Sequence, residues 1–361
     1  MIILCSPFCR AAVDRSKHKR TLLFTTTAIA TLTGITVVWT QNFAFLIVKS
    51  VIEGATVGFV QPAKSALILG LIGQEQFDHA SKKVEMVDHL GSLVGIVITG
   101  CIGLYLYPNV ANVFYVIGAG GVLACLSLLF MPLSSKSQKD EEELHDNQNS
   151  LIDHEASRNL TPGGTPDTYM SILKNRDIVL FGSSVFFFHL GNAAILPLLS
   201  QLMSIDSGRA GIPLTCANVA IAQFTSIFSV WAMGSLIEKG VKHKYPVLVG
   251  YITAVPLRCA IIVTLNEYWP NQYALMATQL LDGVGAGTFG LSLPLVLKEL
   301  THGTGQFSFS IGLVVTLGMC GGALSNLVSG YIVMFMVACM GSVSIVLISF
   351  VNVSTNRAYE G

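Results

Sequence analysis

Residues 280–290 read Leu-Leu-Asp-Gly-Val-Gly-Ala-Gly-Thr-Phe-Gly and lie inside an apolar run from Tyr273 to Leu297. A carboxylate in such a run is unfavourable in a bilayer, so Asp282 must face protein, water or a bound partner. About 229 residues earlier, Glu53-Gly54-Ala55-Thr56-Val57-Gly58 repeats the pattern acid-Gly-x-x-x-Gly inside another apolar run. A buried acid beside spaced glycines in two corresponding places indicates a duplicated membrane protein.

The composition is that of a membrane protein. Of the 361 residues, 52% are hydrophobic and 12% are charged, whereas about a quarter of residues are charged in soluble domains. The formal net charge is zero, and the sequence has no basic patch interleaved with aromatic residues of the kind that binds nucleic acid. The eight cysteines include no C-x-x-C pair, so neither a zinc site nor a disulfide framework is expected. These features predict an all-α polytopic membrane protein with no cofactor and no nucleic-acid partner.

Apolar runs long enough to cross a bilayer recur along the chain. A hydrocarbon core of about 30 Å needs about 20 apolar residues per helix, and this length predicts ten spans. They are residues 21–39, 43–70, 89–107, 110–131, 178–202, 211–236, 245–264, 272–297, 309–330 and 333–351. The last two are predicted less directly, because residues 311–350 have hardly any polar break. Two interpretations remain open: a tight turn at Ser329-Gly330 that makes two spans, or a frameshift or aberrant exon.

Basic residues indicate which loops face the cytoplasm. Five precede the first predicted span, Lys82 and Lys83 lie in the next loop on that side, and three follow the sixth span. The positive-inside rule assigns these loops to the cytoplasm. Both termini are then predicted to be cytoplasmic as well, in a chain that crosses the lipid bilayer of the plasma membrane and works as a monomer.

A polar segment separates the fourth and fifth predicted spans. Residues 134–177 combine the run Asp140-Glu141-Glu142-Glu143 with many Ser, Asn, Pro and Gly residues, a composition that cannot form a core. We predict a disordered cytoplasmic linker there. It divides the chain into an incomplete N-terminal helix bundle at residues 1–133 and a C-terminal six-helix bundle at residues 178–361.

Two further correspondences support the duplication. Asp14-Arg15-x-Lys17-His18-Lys19 is echoed by Glu238-Lys239-x-x-Lys242-His243-Lys244, and Gly73-x-x-Gln76-Phe77 is echoed by Gly303-x-x-Gln306-Phe307. Together with the acid-Gly-x-x-x-Gly pattern, they give three offsets between about 224 and 230 residues. Three matches in order at nearly one offset are hard to obtain by chance.

These residues resemble the major facilitator superfamily, whose signature loop reads Gly-x-x-x-Asp-Arg-x-Gly-Arg-Arg/Lys after the second helix of each half. Gly234-Ser-Leu-Ile-Glu238-Lys239-Gly240 carries a good version of it, and Asp14-Arg15 with the basic residues behind carries a partial one. The resemblance implies two pseudo-symmetric helix bundles related by an axis along the membrane normal. In that register residues 1–9 end the second helix, so about ten of twelve helices are expected in an N-terminally truncated chain.

The same resemblance implies more specific expectations. Residues 188–198 and 282–290 resemble bacterial-type sugar or drug exporter branches of the superfamily. The signature loops are expected to form cytoplasmic gate contacts that latch the inward-closed state. Their residues here are Asp14, Arg15, Gly234, Glu238 and Lys239.

Helical geometry separates polar from small residues in both repeats. At 100° per residue, the acid and the glycines fall on different faces, and the rotation between them has the same sense in each repeat. The acid face should look into the bundle, and the glycine face should pack on a neighbouring helix. The polar face carries Lys49, Glu53 and Asp282, and the packing face carries Gly54, Gly58, Gly283 and Gly287.

Two roles remain open for the acids. In the first, Glu53 and Asp282 take part in proton coupling or bind a cationic group, as ionisable residues inside membranes commonly do. In the second, Lys49 neutralises Glu53 from one turn before it, and Asp282 hydrogen-bonds to a neighbouring helix.

Other polar residues interrupt the spans. Asn192 is the stronger candidate for a substrate contact, His189 is more often a packing residue on such an aromatic-rich helix, and Arg258 follows Pro256 inside a span. The group Glu85, Asp88 and His89 has a spacing that could mimic a metal site. Since no fourth ligand is nearby, a solvated gate face is the simpler interpretation, and no metal is expected.

These observations favour a secondary transporter, working by alternating access in proton-coupled efflux or facilitated transport of a small organic solute. The alternative is a receptor, a regulatory membrane protein or a non-functional fragment that keeps the scaffold without transport. An enzyme is not expected, because no H-E-x-x-H, G-x-S-x-G or nucleotide-binding loop occurs.

Overall fold

The structure is a computed structural model that describes residues 19–40, 42–130, 174–204, 207–302, 307–329 and 334–351. Within these ranges the regular structure is helical, without a strand, and nine candidate membrane spans occur. Asp14, Arg15 and most of the predicted linker lie outside the described residues. The helices are α1 (Lys19–Ile35), α2 (Phe43–Leu106), α3 (Phe114–Phe130), α4 (Arg176–Asn192), α5 (Ile195–Ser204), α6 (Gly211–Glu238), α7 (Lys244–Ile252), α8 (Arg258–Tyr268), α9 (Gln272–Ala277), α10 (Gln279–Leu300), α11 (Phe307–Ser329) and α12 (Met334–Ser349).

The last apolar run forms two helices, α11 and α12. They are separated near the predicted turn, although Gly330 itself is outside the described residues. Helix α12 has 16 described residues, and it is not among the nine candidate spans found in the described ranges. The other nine predicted spans each correspond to one of these candidates.

Helix α2 contains two membrane spans and one break. At Gly73 the backbone takes φ 77° and ψ 176°, a conformation that a residue with a Cβ rarely adopts. The break divides α2 into a first segment, Phe43–Gly73, and a second segment, Glu75–Leu106. The prediction of a loop before residue 89 was wrong, since Lys82 and Lys83 lie inside the second segment. Three of its polar residues, Asp78, His79 and Lys82, pair with charged residues of the helices or loops that follow α5, so they do not need the aqueous loop that their composition suggested.

The helices form two packed groups, which we call the N-terminal bundle (α1 to α3) and the C-terminal bundle (α4 to α12). In the first, Gly121 of α3 lies directly over Thr31 of α1, where an added Cβ would come within 2.0 Å of the Thr31 hydroxyl oxygen. In the second, Phe181, Phe188 and Tyr251 belong to a buried apolar cluster. The second segment of α2 packs along α6 and also meets α10 and α11, so it forms the boundary between the bundles.

Three spans of the C-terminal bundle are interrupted, two of them near the middle and the third after its first six residues. Helix α4 ends at Asn192 before α5 begins, and a π-helical turn at Thr253–Leu257, containing Pro256, separates α7 from α8. Helices α9 and α10 are separated at Thr278. Interrupted helices leave backbone groups free of the regular ladder, and membrane proteins keep such breaks mainly where they serve binding or movement.

Candidate functional site

The centre of the candidate site is an ion pair between α8 and α10. The Nη1 atom of Arg258 lies 2.6 Å from Oδ1 of Asp282. The arginine side chain is wholly buried, and 11% of the aspartate side chain is exposed. Because a buried charge needs a partner, this pair explains how an acid can stand in the middle of an apolar span.

Two amides complete a connected network, which we call the Arg258 network. Asn192 donates from Nδ2 to Oδ1 of Asp282 at 3.3 Å and accepts from Nη1 of Arg258 at 3.3 Å. Gln279 accepts from Nη2 of Arg258 at 3.0 Å. The structure thus brings together three residues singled out in the sequence, Asn192, Arg258 and Asp282. It adds Gln279, which no sequence pattern indicated.

Each helix break adjoins a member of the network. Asn192 is the last residue of α4, Arg258 is the first of α8 after the π-helical turn, and Gln279 is the first of α10. Asp282 follows Gln279 by less than one turn. The four polar side chains therefore lie at, or within one turn of, the three helix breaks.

Two donors of the network have no hydrogen-bond partner among the described residues. They are Nε of Arg258 and Nε2 of Gln279, and both residues are fully buried. Unpaired buried donors are uncommon and often mark a place for a ligand or an ordered water molecule. Their chemistry suits an oxygen acceptor, such as a hydroxyl or carboxylate.

Glu53, the acid of the first repeat, has a different environment from Asp282. Glu53 pairs with Lys49 of the same helix, at 2.7 Å between Nζ and Oε1, and 29% of its side chain is exposed. This arrangement is the local neutralisation considered above for Glu53. The two repeats therefore differ, since the partner of Asp282 lies on another helix, whereas that of Glu53 lies one turn away.

His189 lies among aromatic rings. Its Nδ1 is 3.0 Å from the carbonyl oxygen of Val185 one turn earlier, and its ring meets those of Phe188 and Phe289 edge to face. The structure does not join His189 to the Arg258 network by any described hydrogen bond. Its surroundings match those of a packing residue.

The glycines of α10 allow close contact with α6. A Cβ added at Gly283 would lie 2.4 Å from the carbonyl oxygen of Ala222, and one at Gly287 would lie 2.6 Å from that of Ser226. Ser226 also donates a hydrogen bond to the Gly283 carbonyl at 3.0 Å. In the other repeat Gly54 is half-buried on the first segment of α2, and the structure does not describe the surroundings of Gly58.

The predicted gate loop meets the N-terminal bundle at one end of the molecule, which we call the basic end. Glu238 lies 3.0 Å from Nδ1 of His79 and 3.2 Å from Nζ of Lys82, both on the second segment of α2. Gly234 leaves room for the Lys82 stem, because a Cβ there would lie 2.6 Å from Lys82 Cδ. Lys239 is exposed and ends α6 as its C-cap.

A second group of charges crosses the same boundary beside it. His243 is buried, with Nδ1 2.7 Å from Oε1 of Glu299 and Nε2 3.6 Å from Oδ2 of Asp78. Lys298 donates to the other oxygen of Asp78 at 2.6 Å. Burial lowers the pKa of His243, but Asp78 and Glu299 outweigh that effect and raise it to about 9. The sequence did not predict this group of charges, although His243 belongs to the repeated Lys-His-Lys motif.

The thermal stability of the protein at alkaline pH should depend on the protonation of His243. A histidine with a raised folded pKa stabilises the folded chain fully below its unfolded pKa of about 6.5, and the contribution is lost as the pH rises through about 9. We expect the Tm of the purified protein to fall over that interval, reflecting a loss of roughly 3 kcal/mol. His243→Gln should have a lower Tm at neutral pH and a flatter profile.

The control for this measurement is His302→Gln, since His302 is exposed at the same end of the molecule. Its profile should follow that of the unaltered protein. Parallel pH profiles for His243→Gln and the unaltered chain would contradict the assignment.

The fold and the site together define a polytopic helical membrane protein with two bundles and a buried charge network in one of them. A sequence model described as Major Facilitator Superfamily matches residues 1–269. The chain therefore belongs to the major facilitator superfamily, a family of membrane transporters.

Similar proteins agree with this assignment. Two proteins of Mycobacterium tuberculosis, from different strains and each described as an uncharacterized MFS-type transporter, are 30% identical over 328 residues, which is 90% of this chain and 73% of theirs. Solved structures of the xylose transporter XylE share the fold at 11% identity, covering 97% of this chain and 84% of theirs. One is the proton:xylose symporter bound to 6-bromo-6-deoxy-D-glucose, with a TM-score of 0.70, and the other is a partially occluded inward-open conformation from E. coli, with 0.68.

Proposed function

We propose that this chain is a secondary active transporter that moves a small organic solute by alternating access, with the Arg258 network as its binding and coupling centre. The observation that carries this proposal is the coincidence of three helix breaks with Asn192, Arg258 and Gln279. Transporter sites are commonly built where interrupted helices meet near the middle of the membrane.

The chemistry of the network supports proton coupling. With Asp282 ionised, Arg258 is neutralised and its Nη1 is occupied. A proton on Asp282 would weaken this pair and leave the guanidinium to bind an oxygen acceptor of the solute. The free donors of Arg258 and Gln279 favour the same ligand class, a molecule with hydroxyl or carboxylate oxygens. Solute and proton would then be exchanged in proton-coupled efflux or facilitated transport.

The basic end supplies a reversible closure. Lys82 and Asp78 of the N-terminal bundle pair with Glu238 and His243 of the C-terminal bundle, and alternating access requires these contacts to break and form again. The Lys82–Glu238 pair suits such a cycle because Glu238 is exposed, and water can replace an exposed ion pair at small free-energy cost. This end of the molecule then faces the cytoplasm, as the positive-inside rule predicts from its basic residues. The chain would work as a monomer in the plasma membrane.

The coupling role of Asp282 can be tested in proteoliposomes. We expect Asp282→Asn to remove the dependence of transport on an imposed pH gradient, because the amide cannot take up the proton and holds Arg258 only weakly. The solute would come from a screen of radiolabelled D-xylose, D-glucose and the cationic dye ethidium. The matched variant Glu53→Gln should keep the pH dependence, since Glu53 is neutralised within its own helix.

The outcomes separate the functional classes. An Asp282→Asn variant whose transport keeps the full pH dependence would exclude this acid from coupling. Failure of the unaltered, folded protein to move any solute or protons would favour the receptor or regulatory alternative.

A further inference from the structure

A second group of polar side chains lies at the boundary between the bundles, mostly buried but with Asp88 largely exposed. No described hydrogen bond joins it to the Arg258 network. The second group comprises Lys64, Glu85, Asp88 and His89 of α2 with Gln223 of α6, and we call it the boundary cluster. His89 lies roughly 20 Å along the second segment of α2 from Glu75, well inside the span. Since only 16% of the Glu85 side chain and 12% of the His89 side chain are exposed, the prediction of a solvated gate face was wrong for these two residues.

The cluster does not have the composition of a metal site. No group of three or more His, Cys, Asp or Glu residues suited to a metal ion occurs within the described ranges. Lys64 forms an ion pair with Asp88 and lies 3.9 Å from Glu85. A lysine in contact with both carboxylates would compete with a metal ion for them.

The hydrogen-bonding pattern of His89 leaves a position for one proton between His89 and Glu85. Nδ1 of His89 lies 2.7 Å from Oε1 of Gln223. Because an amide oxygen only accepts, Nδ1 carries the hydrogen in this orientation of the Gln223 amide. In neutral His89 the other nitrogen, Nε2, then presents a lone pair, and it lies 3.8 Å from Oε1 of Glu85. Nε2 is buried without a hydrogen-bond partner. Two acceptors thus face each other, and a proton between them would turn the contact into a charge-assisted hydrogen bond.

The local charge also favours a proton. Lys64 contributes one positive charge, Glu85 and Asp88 contribute two negative charges, and neutral His89 leaves one unit of excess negative charge. A small cavity beside them is lined by Gln61, Ser81 and Gly290, with Leu291 and Pro294 of α10. The lining from α10 is uncharged. Ser81 is 7% exposed and its hydroxyl has no partner within the described residues, so it adds a second unpaired polar group to the cavity.

The site is completed by the opposite bundle. Gln223 fixes the tautomer of His89, and Gly290 makes space for Glu85, because an added Cβ there would lie 2.1 Å from Oε1. Separation of α2 from α6 and α10 would remove the amide and open the cavity to water. Protonation of the cluster and closure of the boundary must therefore favour each other, as linked equilibria do.

We propose that His89 and Glu85 form a proton-binding site whose occupation closes the boundary between the two bundles. The proposal rests on the proposed function only in assuming that the bundles move relative to each other. It adds a titratable site that acts on closure, whereas the Arg258 network acts on the solute.

The test uses the full-length chain with its native cysteines replaced by alanine and spin labels at Lys83→Cys and Lys239→Cys, two exposed positions on opposite bundles. The distance between the labels is measured in lipid nanodiscs from about pH 8 to about pH 5, an interval in which His243 remains protonated, with its pKa of about 9. We expect the distance to shorten as the pH falls, with one midpoint.

Two variants should abolish this response for different reasons. Glu85→Gln should give the short distance at all pH values, because the amide donates to Nε2 of His89 and replaces the proton. His89→Gln should show no transition, since glutamine does not titrate. The control Glu75→Gln, at an exposed position on the same segment, should behave like the parent chain. Circular dichroism and size-exclusion profiles identify any variant that does not fold.

The results distinguish this proposal from the proposed function. Asp282→Asn should lose pH-dependent transport and keep the distance transition. A parent chain without a transition, or Glu85→Gln and His89→Gln variants that titrate within about half a pH unit of it, would overturn the boundary proton site. The proposal would also be overturned if Asp282→Asn lost the pH-dependent change in distance while Glu85→Gln and His89→Gln both kept it. That result would place the proton in the Arg258 network.

Discussion

Replacing Arg258 by methionine is expected to lower the free energy of unfolding by about 3 to 5 kcal/mol, the range measured when one partner of a buried ion pair is removed. Methionine fills much of the same volume, so the loss comes mainly from Asp282, whose carboxylate would stay buried without its cation. Asn192 can donate to it across 3.3 Å, but an amide does not neutralise a charge. Transport should be lost together with stability.

A double variant separates the charge from the packing. If the loss comes from the unpaired carboxylate, Arg258→Met with Asp282→Leu should recover at least about half of it, since apolar replacement of a whole buried pair is often neutral. Thermal unfolding in detergent gives the comparison. The control Arg209→Met removes an arginine whose Nε donates to the Leu104 carbonyl in an exposed position, and it should change stability by about 1 kcal/mol or less. Equal losses for Arg258→Met and Arg209→Met would show that the ion pair does not stabilise the bundle.

Substitution of the α10 glycines should have the second largest effect. Gly287→Ala places a methyl group 2.6 Å from the Ser226 carbonyl oxygen and 3.0 Å from its Cα, and backbone atoms cannot rotate away as a side chain can. Helices α6 and α10 must move apart, at a cost of about 1 to 3 kcal/mol for overpacking. Gly283→Ala should behave in the same way. The expected readout is a lower Tm with unchanged helical content.

Glycines of α2 provide the matched control. A Cβ at Gly91 or Gly95 would meet nothing within 4 Å, so alanine there should leave the Tm unchanged or raise it slightly, because alanine favours the helix over glycine. If Gly287→Ala and Gly95→Ala had the same effect, close contact between α6 and α10 would not explain the glycines.

Much of the helical architecture follows from simple properties of the chain. The length of the apolar runs predicted membrane-spanning helices at nine places where the described residues have candidate spans. The unequal faces of α10 place Asp282 toward Arg258 and its glycines toward α6. The sequence could not show that Arg258 is the partner of Asp282, because a contact between different helices depends on packing. One usable signal was present: an arginine and an acid that both interrupt neighbouring apolar spans need each other.

The errors have physical causes as well. The polar stretch before residue 89 looked like a loop, but His79 and Lys82 form contacts with Glu238 on the other bundle and so continue the helix. Gln279 could not be predicted as a site residue, because an uncharged amide near the end of a membrane span is common and does not by itself indicate a function. The burial of Glu85 depends on Gly290 and that of His89 on its contact with Gln223, and both contacts appear only when α10 and α6 are packed against α2.

The contact between Phe77 and Phe307 has a meaning beyond packing. These two rings meet edge to face with centroids 5.7 Å apart, and they occupy equivalent positions in the Gly-x-x-Gln-Phe repeat. A residue that touches its own counterpart must lie close to the axis that relates the copies, as in a symmetric dimer. If the two halves arose from one duplicated chain, a single ancestral residue stood on both sides of this contact, and each copy has since been able to change separately.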